Sequence, residues 1–137
     1  MKVKDFMKRF LEEEAFKYEW EADGVTFKYQ GLKIIGEFYD DRDTFLRLAV
    51  AYHAENLPRY VALDMCNELN QSSVLKHYLI DDDTLVVLFE EFFEESEVTN
   101  ESVMDVLDVL VGGARRCNKR MDKLTSYLSH PVSKVVN

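Results

Sequence analysis

The sequence predicts an α+β fold, an antiparallel sheet of five or six strands with helices packed on it, in the order α-β-β-β(-β)-α-β-β-α. Three observations predict it. Apolar residues near both ends of the chain recur every three or four positions, the helical period, whereas from Phe16 to Tyr52 they alternate with polar ones, the strand period. The alternating runs are joined by short Asp- and Gly-bearing segments that leave no room for a crossover helix, so successive strands run antiparallel. The chain has 137 residues, 47% of them hydrophobic and 12% aromatic, enough for one core but not for two independent domains. The expected organisation is a single domain over residues 1–128 followed by a flexible tail, 129–137.

The first element is a helix, because Val3, Phe6, Met7, Phe10 and Leu11 share one face while Lys4, Lys8, Arg9 and Glu12 to Glu14 take the other. Phe16, Tyr18 and Trp20 then alternate with Lys17, Glu19 and Glu21 as a half-buried strand. Asp23-Gly24 reads as a hairpin turn, since glycine accepts positive φ. Val25, Phe27 and Tyr29 continue the alternation to Gly31. There the chain either turns or runs on through a bulge into a strand from Leu32 to Tyr39. Asp40 to Asp43 form the next turn, and Thr44 to Tyr52 a strand with Leu46, Leu48, Val50 and Tyr52 on one face.

Asn56-Leu57-Pro58 opens the middle helix, with proline near the first helical position where its missing N–H costs nothing. Val61, Ala62, Met65, Cys66 and Leu69 form one stripe on it. Tyr60, Leu63, Asn67 and Asn70 form a second on the far side, so the helix is covered twice or presents an interface. Val74 to Ile80 is a strand and Asp81 to Asp83 a turn. Thr84 to Phe93 is a strand whose first half is apolar on both faces, as a central strand would be. Glu90 and Glu91 break a run that would be an aggregation hazard at a sheet edge. In the last helix Thr99 is the N-cap, Glu101 complements the dipole, and Val98 and Val103 have staple spacing. Val103, Leu107, Leu110, Ala114, Cys117, Met121, Leu124 and Leu128 make one seam. Gly112-Gly113 interrupts it and either kinks the helix or admits another backbone. Ser129 to Asn137, with Pro131, reads as a loose tail.

The composition narrows the function classes. Seventeen Lys and Arg against 26 Asp and Glu give a net charge of −9, which opposes nucleic acid or an anionic membrane as the main partner. No apolar stretch of spanning length exists and the N-terminus lacks a signal pattern, so the expected location is cytoplasmic. Cys66 and Cys117 form no CxxC or Cys/His cluster and read as buried free thiols.

No catalytic motif is visible, and neither a catalytic residue, a metal ligand nor a cofactor is expected. Asp40, Asp41 and Asp43, and the Asp81–Asp83 triplet, occupy expected turns and lack the oxygen spacing of a calcium loop. His53, His77 and His130 have no nucleophile or acid at a recognisable spacing, and His77 reads as structural. The charge layout is more informative. Residues 81–114 hold eleven acids and no Lys or Arg, whereas Arg115, Arg116, Lys119, Arg120 and Lys123 follow with one acid, Asp122. Helix-dipole complementarity explains part of this, but its reach is limited to the terminal turns. The other reading is a basic patch that faces an acidic one across an oligomer interface or on a partner.

The chain also resembles a known family. Phe27-Lys28-Tyr29-Gln30-Gly31, Asp43-Thr44-Phe45-Leu46-Arg47-Leu48, Asn67-Glu68-Leu69-Asn70, the strand–acidic turn–strand from Val74 to Phe93, and Val98-Thr99 look like the YbjN-like family. That family is similar in fold to the class I type III secretion chaperones. The likeness covers roughly residues 3–126 and carries no catalytic signature. It implies a small, often dimeric cytoplasmic protein, associated with sensory transduction, that binds a segment of another protein. It also nominates Tyr60, Leu63, Asn67 and Asn70 as a dimer or partner interface, while the two asparagines could instead cap the helix end and order the following loop. The expected function is therefore a non-catalytic protein-binding or regulatory module, working as a homodimer. The alternative is a small enzyme or metal- or ligand-binding domain that uses the acidic turns.

Overall fold

The computed structural model describes residues 2–94 and 97–129. The elements in chain order are α1 (Val3–Glu13), β1 (Tyr18–Glu21), β2 (Gly24–Tyr29), β3 (Leu32–Glu37) and β4 (Phe45–His53). They continue with α2 (Arg59–Gln71), β5 (Lys76–Ile80), β6 (Thr84–Phe92) and α3 (Asn100–Ser129). The strands form one antiparallel sheet in the order β1-β2-β3-β4-β6-β5, so the predicted α+β class holds with six strands. By internal packing the chain divides into two units, Met1–Val50 with Leu88–Gly112 and Ala51–Val87 with Gly113–Asn137.

In the first unit, the predicted helical face is the buried one: Val3, Phe6, Met7, Phe10 and Leu11 are all covered. Phe10 stacks on Phe16 at 5.6 Å, and Phe16 meets Phe27 at 5.5 Å and Tyr29 at 5.8 Å. This aromatic chain ties α1 to the β1–β2 hairpin. The turn of that hairpin is Ala22-Asp23, with Glu21 opposite Gly24. Gly24 is therefore not a positive-φ turn residue. It is needed because a Cβ there would collide with the Gly36 carbonyl oxygen on β3. Of the two paths left open at Gly31, the chain takes the turn and not the bulge. Gln30 at φ +50° and Gly31 at φ +81° make the two-residue, left-handed turn that closes β2 onto β3, with Tyr29 opposite Leu32. Paired positive φ matches the twist of the strands that flank such a turn.

β6 is an interior strand, so Glu90 does not guard a sheet edge; it lies 3.4 Å from Arg47 on β4. The start of α3 is built as expected, with a reciprocal addition. Thr99 Oγ1 accepts from the Ser102 amide at 3.1 Å, and the Thr99 amide donates to Ser102 Oγ at 2.8 Å. Serine here does the work of the glutamate in a capping box.

In the second unit, Ala62, Met65 and Cys66 of α2 are buried, with Val61 and Leu69 half-buried beside them. Pro58 occupies the N-cap itself. The strand expected from Val74 begins at Lys76, and Val74 is 79% exposed. Asp81 and Asp82 both have positive φ, +55° and +68°, in the turn between β5 and β6. α3 runs unbroken past its glycines. What lies against Gly113 is the Leu75 side chain, which a Cβ would strike, and not a second backbone. The α3 seam stays buried through Met121, is half-buried at Leu124 and ends before Leu128, which is 40% exposed. His130 and Pro131, with the rest of the expected tail after Ser129, lie outside the described residues.

Candidate functional site

The second stripe of α2 is where the sequence placed it, on the side away from the helix's buried residues. Tyr60 is 68% exposed and Leu63 36%, and Asn67 and Asn70 are exposed as well. A 100° step per residue puts positions 60, 63, 67 and 70 on one face. Two anchors hold α2 along β5, the edge strand of the sheet. At its start Arg59 pairs with Asp82 in the β5–β6 turn. At its end Asn70 reaches His77. The Asn70 amide Nδ2 donates to the His77 carbonyl at 3.0 Å, and the His77 amide donates to Asn70 Oδ1 at 2.6 Å. One side chain thus satisfies both edge-facing groups of a strand residue, as a neighbouring strand would.

The same Asn70 oxygen lies 2.9 Å from His77 Nδ1. His77 is 4% exposed, and burial, with a smaller contribution from Arg116, pushes its imidazole below the ordinary histidine range. A neutral imidazole held by an amide is a structural group, as its strand position suggested. Asn70 therefore has a structural duty, while Tyr60, Leu63 and Asn67 carry the exposed part of the stripe.

The cations follow along α3. Arg115, Arg116, Lys119 and Lys123 are exposed, and Arg120 reaches across to Glu68 of α2 at 2.7 Å. Beneath them Cys66 and Cys117 are free and buried. Burial raises the Cys66 thiol and drives Cys117 up to about 12, so neither is a nucleophile near neutrality. Burial likewise raises the Tyr52 hydroxyl.

Three of the turn aspartates are engaged locally. Asp43 faces Lys2 at 3.7 Å, Asp82 faces Arg59, and Asp83 accepts from the Thr84 hydroxyl at 3.2 Å while its carbonyl takes the Ala54 amide. Among the described residues no three His, Cys, Asp or Glu side chains converge as metal ligands. Among them also, no helix is long and apolar enough to cross a membrane.

Sequence reasoning missed several exposed apolar residues: Val74, Ile80 at 45% and Tyr127 at 62% in the second unit, and Phe92 at 60% in the first. The β5 phase held the signal. Leu75 and His77 point inward, which leaves Val74 and Ile80 on the opposite phase.

A crystal structure of an uncharacterised protein from Methanothermobacter thermautotrophicus superimposes with a TM-score of 0.67 at 11% identity, over 89% of this chain and 98% of that one. YbjN from E. coli, described as a candidate transcription regulator, superimposes with a TM-score of 0.63 at 15% identity, over 82% of this chain and 86% of its own. The fold is YbjN-like. No family model and no curated protein matches the sequence. At these identities the YbjN-like assignment describes the fold, and function has to be argued from the site.

Proposed function

We propose that this YbjN-like chain is a non-catalytic regulatory module that acts through protein–protein contacts and works as a homodimer. The observation that carries the reading is the exposed stripe of α2. Tyr60 and Leu63 stand in solvent on a helix whose other face already has its core contacts. Leu63 is still 36% and Tyr60 68% exposed, so covering the remainder gains about 0.5–1 kcal/mol for the leucine and more for the tyrosine, and a second protein surface is their natural destination. The regulator description of YbjN supports a regulatory role by analogy of fold. Arg115, Arg116, Lys119, Arg120 and Lys123 supply a charged patch, which favours an oriented encounter.

Sedimentation equilibrium tests the reading. The native protein is expected to exceed the 16.1 kDa of one chain, and Leu63→Asp, which places a charge in the stripe, to weaken association at least tenfold. A mass of one chain for both forms refutes it.

A further inference from the structure

α3 carries a charge pattern that its dipole explains only at Glu101 in the first turn, and that its packing does not explain. Glu101, Asp105, Asp108, Gly112, Arg116, Lys119 and Lys123 follow one another at steps of 4, 3, 4, 4, 3 and 4. At 100° per residue they fall within an arc of about 80° on one face of the helix. All are exposed, and the buried seam lies on the opposite side. The order is three acids, a glycine, three bases. It is symmetric about Gly112, with every acid as far before the glycine as a base lies after it.

Gly112 itself has no explanation within one chain. A Cβ there would meet nothing within 4 Å, whereas a glycine in an exposed helix interior costs about 1 kcal/mol relative to alanine. Gly113 beside it is accounted for by Leu75. Among the described residues no ion pair within the chain engages Glu101, Asp105, Arg116, Lys119 or Lys123. Asp108 accepts from the Tyr29 hydroxyl at 2.5 Å and keeps acceptor capacity.

We infer that α3 pairs antiparallel with α3 of a second copy, the two-fold axis passing at Gly112. Charge complementarity selects that occupant. In this register Glu101 faces Lys123, Asp105 faces Lys119 and Asp108 faces Arg116, and each pair is made twice, as an isologous contact requires. The stripe is about 33 Å long, and every like charge is kept apart. A parallel pair, by contrast, would set acids on acids. Gly112 lets the two backbones approach at the crossing, and Val109, 45% exposed one turn earlier, gains cover there. A foreign partner would have no reason to match a pattern symmetric about its own centre. The inference rests on the homodimer proposed above and names its register. The Arg120–Glu68 pair joins α3 to α2.

The test is a charge swap followed by sedimentation equilibrium on the full chain. Asp105→Lys alone and Lys119→Asp alone each create like-charge pairs and are expected to raise the dissociation constant at least tenfold. The double variant restores every pair in swapped order and is expected to recover most of the native affinity. These positions are 14 residues apart on one helix, so rescue cannot arise within a single chain. Gly112→Gln is expected to raise the melting temperature of the monomer while weakening the dimer, a split that a purely structural glycine would not produce. Association should also weaken between about 0.05 and 0.5 M salt as the pairs are screened. Single swaps without effect, or a double variant no better than the singles, overturn the register. If Leu63→Asp still dissociates the dimer in that case, the α2 reading stands without it. A native protein that is monomeric throughout overturns both.

Discussion

Replacing Asn70 by alanine removes the side chain that closes the edge of β5. Two main-chain groups of His77 lose their partners at once, the amide now 2.6 Å from Asn70 Oδ1 and the carbonyl 3.0 Å from Nδ2. His77 is 4% exposed, so water has poor access to replace them. At about 1–3 kcal/mol for each orphaned buried group, partly offset by edge hydration, the expected cost is about 2–4 kcal/mol. For a chain of this length that is a fall of about 8–15 °C in melting temperature. Urea titration followed by far-UV circular dichroism measures it, with an unchanged slope to show that the folded state is retained. Asn70→Asp keeps an oxygen for the His77 amide but sets a second acceptor against the His77 carbonyl, and should not restore the native stability. Exchange of the His77 amide proton should also accelerate in Asn70→Ala. A loss below about 0.5 kcal/mol, within the range of ordinary surface substitutions, would refute the reasoning and return Asn70 to the exposed stripe.

The pH dependence follows from His77. Its folded pKa lies below the 6.5 of a free imidazole, so as pH falls through about 6.5 the unfolded chain takes up a proton that the folded chain refuses, and stability drops. His77→Gln should flatten the melting-temperature slope between about pH 7 and pH 5.5, above the range where most carboxylates titrate. Gly24→Ala should cost about 1–3 kcal/mol, because the atom in the way is a main-chain carbonyl that cannot rotate aside; a neutral result in denaturant titration would show that the hairpin adjusts freely. Cys66 and Cys117 should both react with a thiol reagent at pH 8 only as fast as the protein unfolds, since both are buried and Cys117 is held near 12. Rapid labelling of either in native buffer would contradict their burial.

What the sequence determined by itself is what depends on neighbours within about four residues. The buried face of α1, the alternation of β1 to β4 and the Thr99 cap follow from local periodicity and from a hydroxyl within reach of its own helix start. The second stripe of α2 was equally legible as a shared face, because a helix fixes which side chains share one, but that it is exposed and not covered was decided by the tertiary structure. Tertiary structure decided the rest. Gly24 reads like a turn residue until the Gly36 carbonyl is placed against it, and Gly31 could turn or bulge until Tyr29 pairs with Leu32. The insertion of β6 between β4 and β5 is a choice among distant strands that no local signal encodes. Asn70 looked like an interface residue or a cap, and it became an edge partner only once β5 lay beside α2. Periodicity records how each segment divides its own faces between oil and water, but which segments meet depends on shape and hydrogen-bond closure over the whole chain.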